Sequence, residues 1–82
     1  MSEQISREQS RAARGLLGWS QSDLAEAAKV SRQTVVDFER GARVPYDRTL
    51  ADMQSAFEKA GVIFIAENGG GPGLRLKRKA KR

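Results

Sequence analysis

The chain has no cysteine and no histidine. The first absence excludes disulfides and thiolate metal sites. The second removes the commonest general base and the commonest metal ligand. Long apolar runs are missing too: none approaches the roughly 20 residues of a membrane helix. The N-terminus, MSEQISREQS, lacks the apolar centre of a signal peptide. A soluble, cytoplasmic protein with no membrane partner is expected. No nucleophile–base set is visible either. The acidic residues are scattered over helix surfaces, with Asp23 and Glu26 reading as a polar helix face. The expectation is therefore a non-enzyme that needs no cofactor and no metal.

What is present is small and unevenly charged. The 82 residues allow one domain with a small core, 39% of the chain being hydrophobic, and domains of this size often gain stability by pairing. The net charge is +5. Six basic residues lie in the last eight positions: Arg75, Lys77, Arg78, Lys79, Lys81 and Arg82. The other nine basic residues face all ten acidic ones, so the excess charge is a tail rather than a basic globule. Such a tail suits a polyanion such as nucleic acid, or simply solubilises the end of the chain.

Along the chain, residues 1 to 5 are expected to fray. SREQ reads as a capping box, with Ser6 at the N-cap and Gln9 three positions on. Ala13, Leu16 and Leu17 give the first helix an apolar face, and Gly18 stops it. In WSQSDL, Ser20 caps a second helix, Asp23 closes its box and Trp19 staples onto Leu24. Leu24, Ala25 and Ala28 face inward. In VSRQTV, Ser31 caps a third helix and Val30 staples onto Val35. Val35 and Phe38 are its buried positions, and Gly41 ends it. A loop through Pro45 leads to a fourth helix capped by Asp47, with Thr49 and Asp52 offering a second register. Leu50, Met53, Phe57 and Ala60 form its stripe, and Gly61 terminates it. VIFI, residues 62–65, is a strand signal, and LRL, residues 74–76, alternates as a second short strand. GGGPG lacks the lysine and following helix of a phosphate-binding loop.

The second and third helices start only eleven positions apart, which leaves room for about two turns. Such short helices are marginal alone. Joined by a tight turn they must cross steeply, and the second one protrudes. A protruding helix fits the major groove. The first turn of that helix carries Arg32, Gln33 and Thr34, with Asp37 one turn later on the same side. Arginine pairs with the guanine O6/N7 edge and glutamine with adenine N6/N7. The alternative is an ordinary solvated helix face.

Residues 17 to 50 resemble the Cro/phage-repressor type of helix-turn-helix, the XRE-like family. The matching elements are SQ opening the second helix, LA at 24 and 25, and VS before the third. Thr34, Val35, Glu39, Gly41, Pro45 and TL at 49 and 50 complete the set. With the first helix the resemblance covers residues 6 to 60. It implies a four-helix repressor-like domain. It also implies a regulator of transcription, a dimer reading an inverted repeat in double-stranded DNA. With the strand signals that follow along the chain, the expected fold is mainly α with a short C-terminal β-strand or hairpin. The chain then divides into a DNA-binding domain at 1–61, a β segment at 62–76 and a basic tail at 77–82. The resemblance implies base contacts from Arg32, Gln33 and Asp37. It implies backbone contacts from Gln21, Ser31, Thr34, Arg40 and Arg43, and an ion pair between Arg14 and Glu39. Lys29 stands where the family usually has glycine. It must accept a left-handed conformation, at about 1 kcal/mol, or the turn shifts.

Val62, Phe64 and Leu74 are expected to contribute, with the fourth helix, to a homodimer. The alternative is a monomer whose hairpin covers its own core. A second functional class, a protein-interaction module such as an antitoxin or anti-activator holding a partner protein, suits the same fold.

Overall fold

The computed structural model describes residues 4–66 and 69–77. Residues 78–82, which carry most of the basic tail, lie outside the described residues. Four helices, α1 (Arg7–Leu17), α2 (Gln21–Ala28), α3 (Arg32–Glu39) and α4 (Asp47–Lys59), precede two strands, β1 (Val62–Ile65) and β2 (Gly73–Leu76). The fold is mainly α with a C-terminal antiparallel hairpin.

The helix starts follow from local chemistry. Gln9 N–H donates to Ser6 Oγ at 3.0 Å, and Ser6 N–H donates to Gln9 Oε1 at 2.9 Å. The same reciprocal box joins Ser20 and Asp23. Each box satisfies donors that the first helical turn cannot. Ser31 accepts from Thr34 N–H at 3.0 Å. The fourth start differs from expectation. Asp47 is the first helical residue, and Tyr46 occupies the cap position without a side-chain bond. The Asp47 carboxylate instead accepts from Gln4 Nε2 at 2.8 Å, where a negative charge also suits the helix N-terminus.

The first three helices end alike. Gly18, Lys29 and Gly41 are left-handed, with φ of 71°, 61° and 80°. After each, the next N–H reaches five residues back: Trp19 to Arg14 O, Val30 to Ala25 O and Ala42 to Asp37 O. This closure satisfies carbonyls that the helix leaves open. Lys29 therefore accepts the strained conformation, and the α2–α3 turn keeps its place.

These turns fold the apolar faces inward. Leu24, Val35, Met53 and Phe57 are fully buried, and Val62 of the hairpin shares their core. Trp19 stacks on Phe57 at 5.8 Å, and Phe57 meets Phe64 edge-on at 5.9 Å. Three expectations are corrected. Leu16 is 48% exposed, because the inward face of α1 runs through Gln9, Ser10, Ala13 and Leu17. Ala60 is exposed beyond the end of α4, and Ala56 fills the stripe in its place. Ile5 does not fray; it is buried against the core.

The hairpin is intramolecular, with Val62 opposite Leu76 and Phe64 opposite Leu74. Alternation puts these residues on one face. Val62 lies in the chain's own core, and Phe64 and Leu74 pack against it. Ile63 and Ile65 share the opposite face with Arg75. Gln9 Nε2 donates to Gly73 O at 2.9 Å, which ties the hairpin to α1. Arg75 thus belongs to β2, and the basic run starts inside the folded hairpin.

Candidate nucleic-acid interface

The inner side of α3 is held by charge as well as by packing. Glu39 is only 2% exposed, yet it sits among donors from two other helices. Arg14 Nη2 lies 2.7 Å from Glu39 Oε1, and Arg14 Nε bonds both carboxylate oxygens. Ser10 Oγ donates to Glu39 Oε2, and Gln21 Nε2 donates to Oε1 at 3.2 Å. Arg14 Nη1 also donates to Trp19 O, so one guanidinium joins α1, the α1–α2 turn and α3. Burial pushes the Glu39 carboxyl up. The bonds from Arg14, Ser10 and Gln21 outweigh it and hold the group below the usual carboxylate range.

Two further arginines of α1 close the C-terminal end of α3. Arg11 donates to the Glu39 carbonyl. The Arg7 side chain lies against Gly41, where a Cβ would fall 2.1 Å from Arg7 Nη1. Cations belong at this end of a helix dipole. The positive φ is what favours glycine at this position; the Arg7 guanidinium could swing aside from a Cβ.

Among the described residues, the side chains on the outer side of α3 bond local partners. Arg32 and Gln33 are exposed. Gln33 Nε2 donates to Asp37 Oδ1 at 2.9 Å, and Arg40 Nη2 lies 3.0 Å from the same oxygen. Gln33 first, then Arg40, hold the Asp37 carboxyl below its ordinary range. Thr34 Oγ1 and Ser31 Oγ are 2.8 Å apart. Beside this face lies an open concavity of about 550 Å³. Gln33, Thr34 and Asp37 form one wall, and Arg43, Val44 and Tyr46 form the other.

The structure brings Ser31, Gln33, Thr34, Asp37 and Arg43 to one open concavity, with Arg40 bonded to Asp37 beside it. Arg32 is exposed at the first turn of α3 but does not line that concavity. The structure does not bring the Gln21 side chain there, because that amide bonds Glu39. Sequence reasoning missed Ser10 and Arg11. Their spacing carried a signal, since Ser10 lies four residues before Arg14 and shares its helix face. The resemblance marks the Arg40–Val44 loop only for phosphate contacts by its backbone amides. It leaves out Tyr46 and the exposed apolar side chain of Val44, which sit where no periodicity marks them.

Among the described residues no group of acidic side chains could hold a metal ion, and no helix is long and apolar enough to cross a membrane. A family model described as Helix-turn-helix matches residues 11–60. No curated protein matches the chain.

Proposed function

The chain belongs to the helix-turn-helix family of the Cro and phage-repressor type, the XRE-like DNA-binding regulators, and we propose that it works as a dimer on a short inverted repeat, with α3 in the major groove of each half-site. The exposed pair Arg32 and Gln33, on a helix whose other side is locked to α1, carries this reading. Arg32 presents its guanidinium to a guanine O6/N7 edge. Gln33 gives one amide N–H to Asp37. A second N–H and Oε1 remain, which is the set that adenine N7 and N6 require. Asp37 orients that amide and is an acceptor for a cytosine amino group.

Ser31, Thr34, Arg40 and Arg43 flank the reading face and meet phosphate. Gln21 contributes through its backbone N–H, an open donor at the positive end of α2. The basic tail adds contacts that do not depend on sequence. Dimerisation uses α4 and the hairpin. Val62, Phe64 and Leu74 support that surface from beneath, and Ile63 and Ile65 face the second copy.

Selection of bound sequences from a random DNA pool tests this function. The expected product is an inverted repeat with half-site centres about 10 to 11 base pairs apart, one turn of the duplex. A pool with no enriched sequence would contradict it, and would turn attention to a protein partner for the same face.

A further inference from the structure

Two large apolar side chains stand almost bare beside the reading helix. Val44 is 79% and Tyr46 86% exposed, against 48% for Leu16 and 42% for Leu76. They flank Pro45, whose ring fixes its own φ and keeps the residue before it extended. Tyr46 is extended too, with φ −59° and ψ 154°. Val44 and Tyr46 both line the concavity shared with Gln33 and Thr34. Neither contributes to the fold as a core residue, and Tyr46 makes no side-chain bond at the helix start it precedes.

The concavity therefore has a hydrogen-bonding wall on α3 and an apolar wall on the loop. Arg43, next to Val44, adds positive charge at the rim. Two apolar side chains suffice to enclose one methyl group. A surface offering hydrogen-bonding edges, one methyl and surrounding negative charge is the DNA major groove at a thymine.

We infer that Val44, backed by Tyr46, is a specificity-determining residue that packs on the C5-methyl group of one thymine in each half-site. This rests on the DNA-binding function proposed above and adds a reader outside the recognition helix. Val44 discriminates by shape and apolarity, whereas Arg32 and Gln33 discriminate by hydrogen bonds.

The test uses the DNA site obtained by selection, with each thymine replaced singly by deoxyuridine, which removes only the methyl group. Wild-type protein should lose about fourfold in affinity at one thymine per half-site, the effect of one methyl returned to water. Val44→Ala should bind the thymine and deoxyuridine versions of that position equally. Its melting temperature should match the wild type, because residue 44 has few contacts to lose. The inference is overturned if no replacement weakens wild-type binding, or if Val44→Ala keeps the wild-type ratio. A uniform loss across all sequences, with the ratio kept, would overturn it as well and mark Val44 as a backbone contact. A pool that yields no preferred site would overturn both this inference and the proposed function.

Discussion

The two sides of α3 contrast in where their partners come from. The inner side bonds residues far away in sequence: Glu39 to Ser10, Arg14 and Gln21. The outer side bonds residues within about one turn: Gln33 and Arg40 to Asp37, and Ser31 to Thr34. Long-range bonds to a buried carboxylate fix the helix against the domain. Local bonds at the surface hold side chains loosely and can be exchanged for bonds to another molecule. An eight-residue helix has too few turns to be stable alone. Its position is set from the inner side, which leaves the outer side open to recognition.

The contrast breaks most severely on the inner side. Replacing Arg14 by Ala leaves a buried charge without its partner. Loss of about 3 to 5 kcal/mol of stability is expected, read by chemical denaturation. An unchanged midpoint would mean that the Arg14 contact does not hold Glu39 and that Ser10, Gln21 and packing suffice.

Acid should act on the same contact with a smaller effect, because a neutral carboxyl keeps part of its hydrogen bonding. The folded-state pKa of Glu39 is depressed. Its contribution is therefore fully present above the unfolded value of about 4.3 and is lost as pH falls through the lower folded value. Denaturation midpoints measured downward from pH 6 should drop in this window. In Glu39→Gln this part of the decline should disappear.

On the outer side, Gln33→Ala should cost on the order of 1 to 3 kcal/mol in binding to the selected site and relax preference at one base position. Its stability should stay near that of the wild type. Competition binding with single-base variants checks the first result, and a thermal melt checks the second. A fall in stability comparable to that of Arg14→Ala would erase the distinction between the two sides.

The smallest effect concerns the turn that aims α3. Gly18 and Lys29 have nearly the same backbone conformation, but only glycine takes it without strain. Lys29→Gly should stabilise the fold by about 0.5 kcal/mol, since relief of strain exceeds the added flexibility of the unfolded chain. Destabilisation would show that the lysine side chain contributes something its exposure does not suggest.

Much of this organisation was legible in the sequence, because caps and turns are local. Ser6, Ser20 and Ser31 announced three helix starts by the spacing of their partners. The fourth start differs by one residue, because Asp47 has the composition of a cap but its carboxylate accepts from Gln4 rather than from the helix's own first turn. Periodicity also misled on α1. It treats polar residues as outward-facing, yet Gln9 and Ser10 are buried and bond the hairpin and Glu39. Leu16 was assigned inward for the same reason. The exposed face proposed to read DNA was visible as polar residues opposite Val35 and Phe38. The bare apolar side chains of Val44 and Tyr46 in the loop were not, since exposure there has no periodic signal.

The claim that the outer side of α3 enters the major groove is tested most directly by dimethyl sulfate protection on the selected DNA. Guanine N7 lies in that groove. Wild-type protein should protect a guanine N7 in each half-site, and Arg32→Ala should lose protection at that guanine while still binding. Identical protection by the two proteins, or no guanine N7 protected at all, would contradict the account.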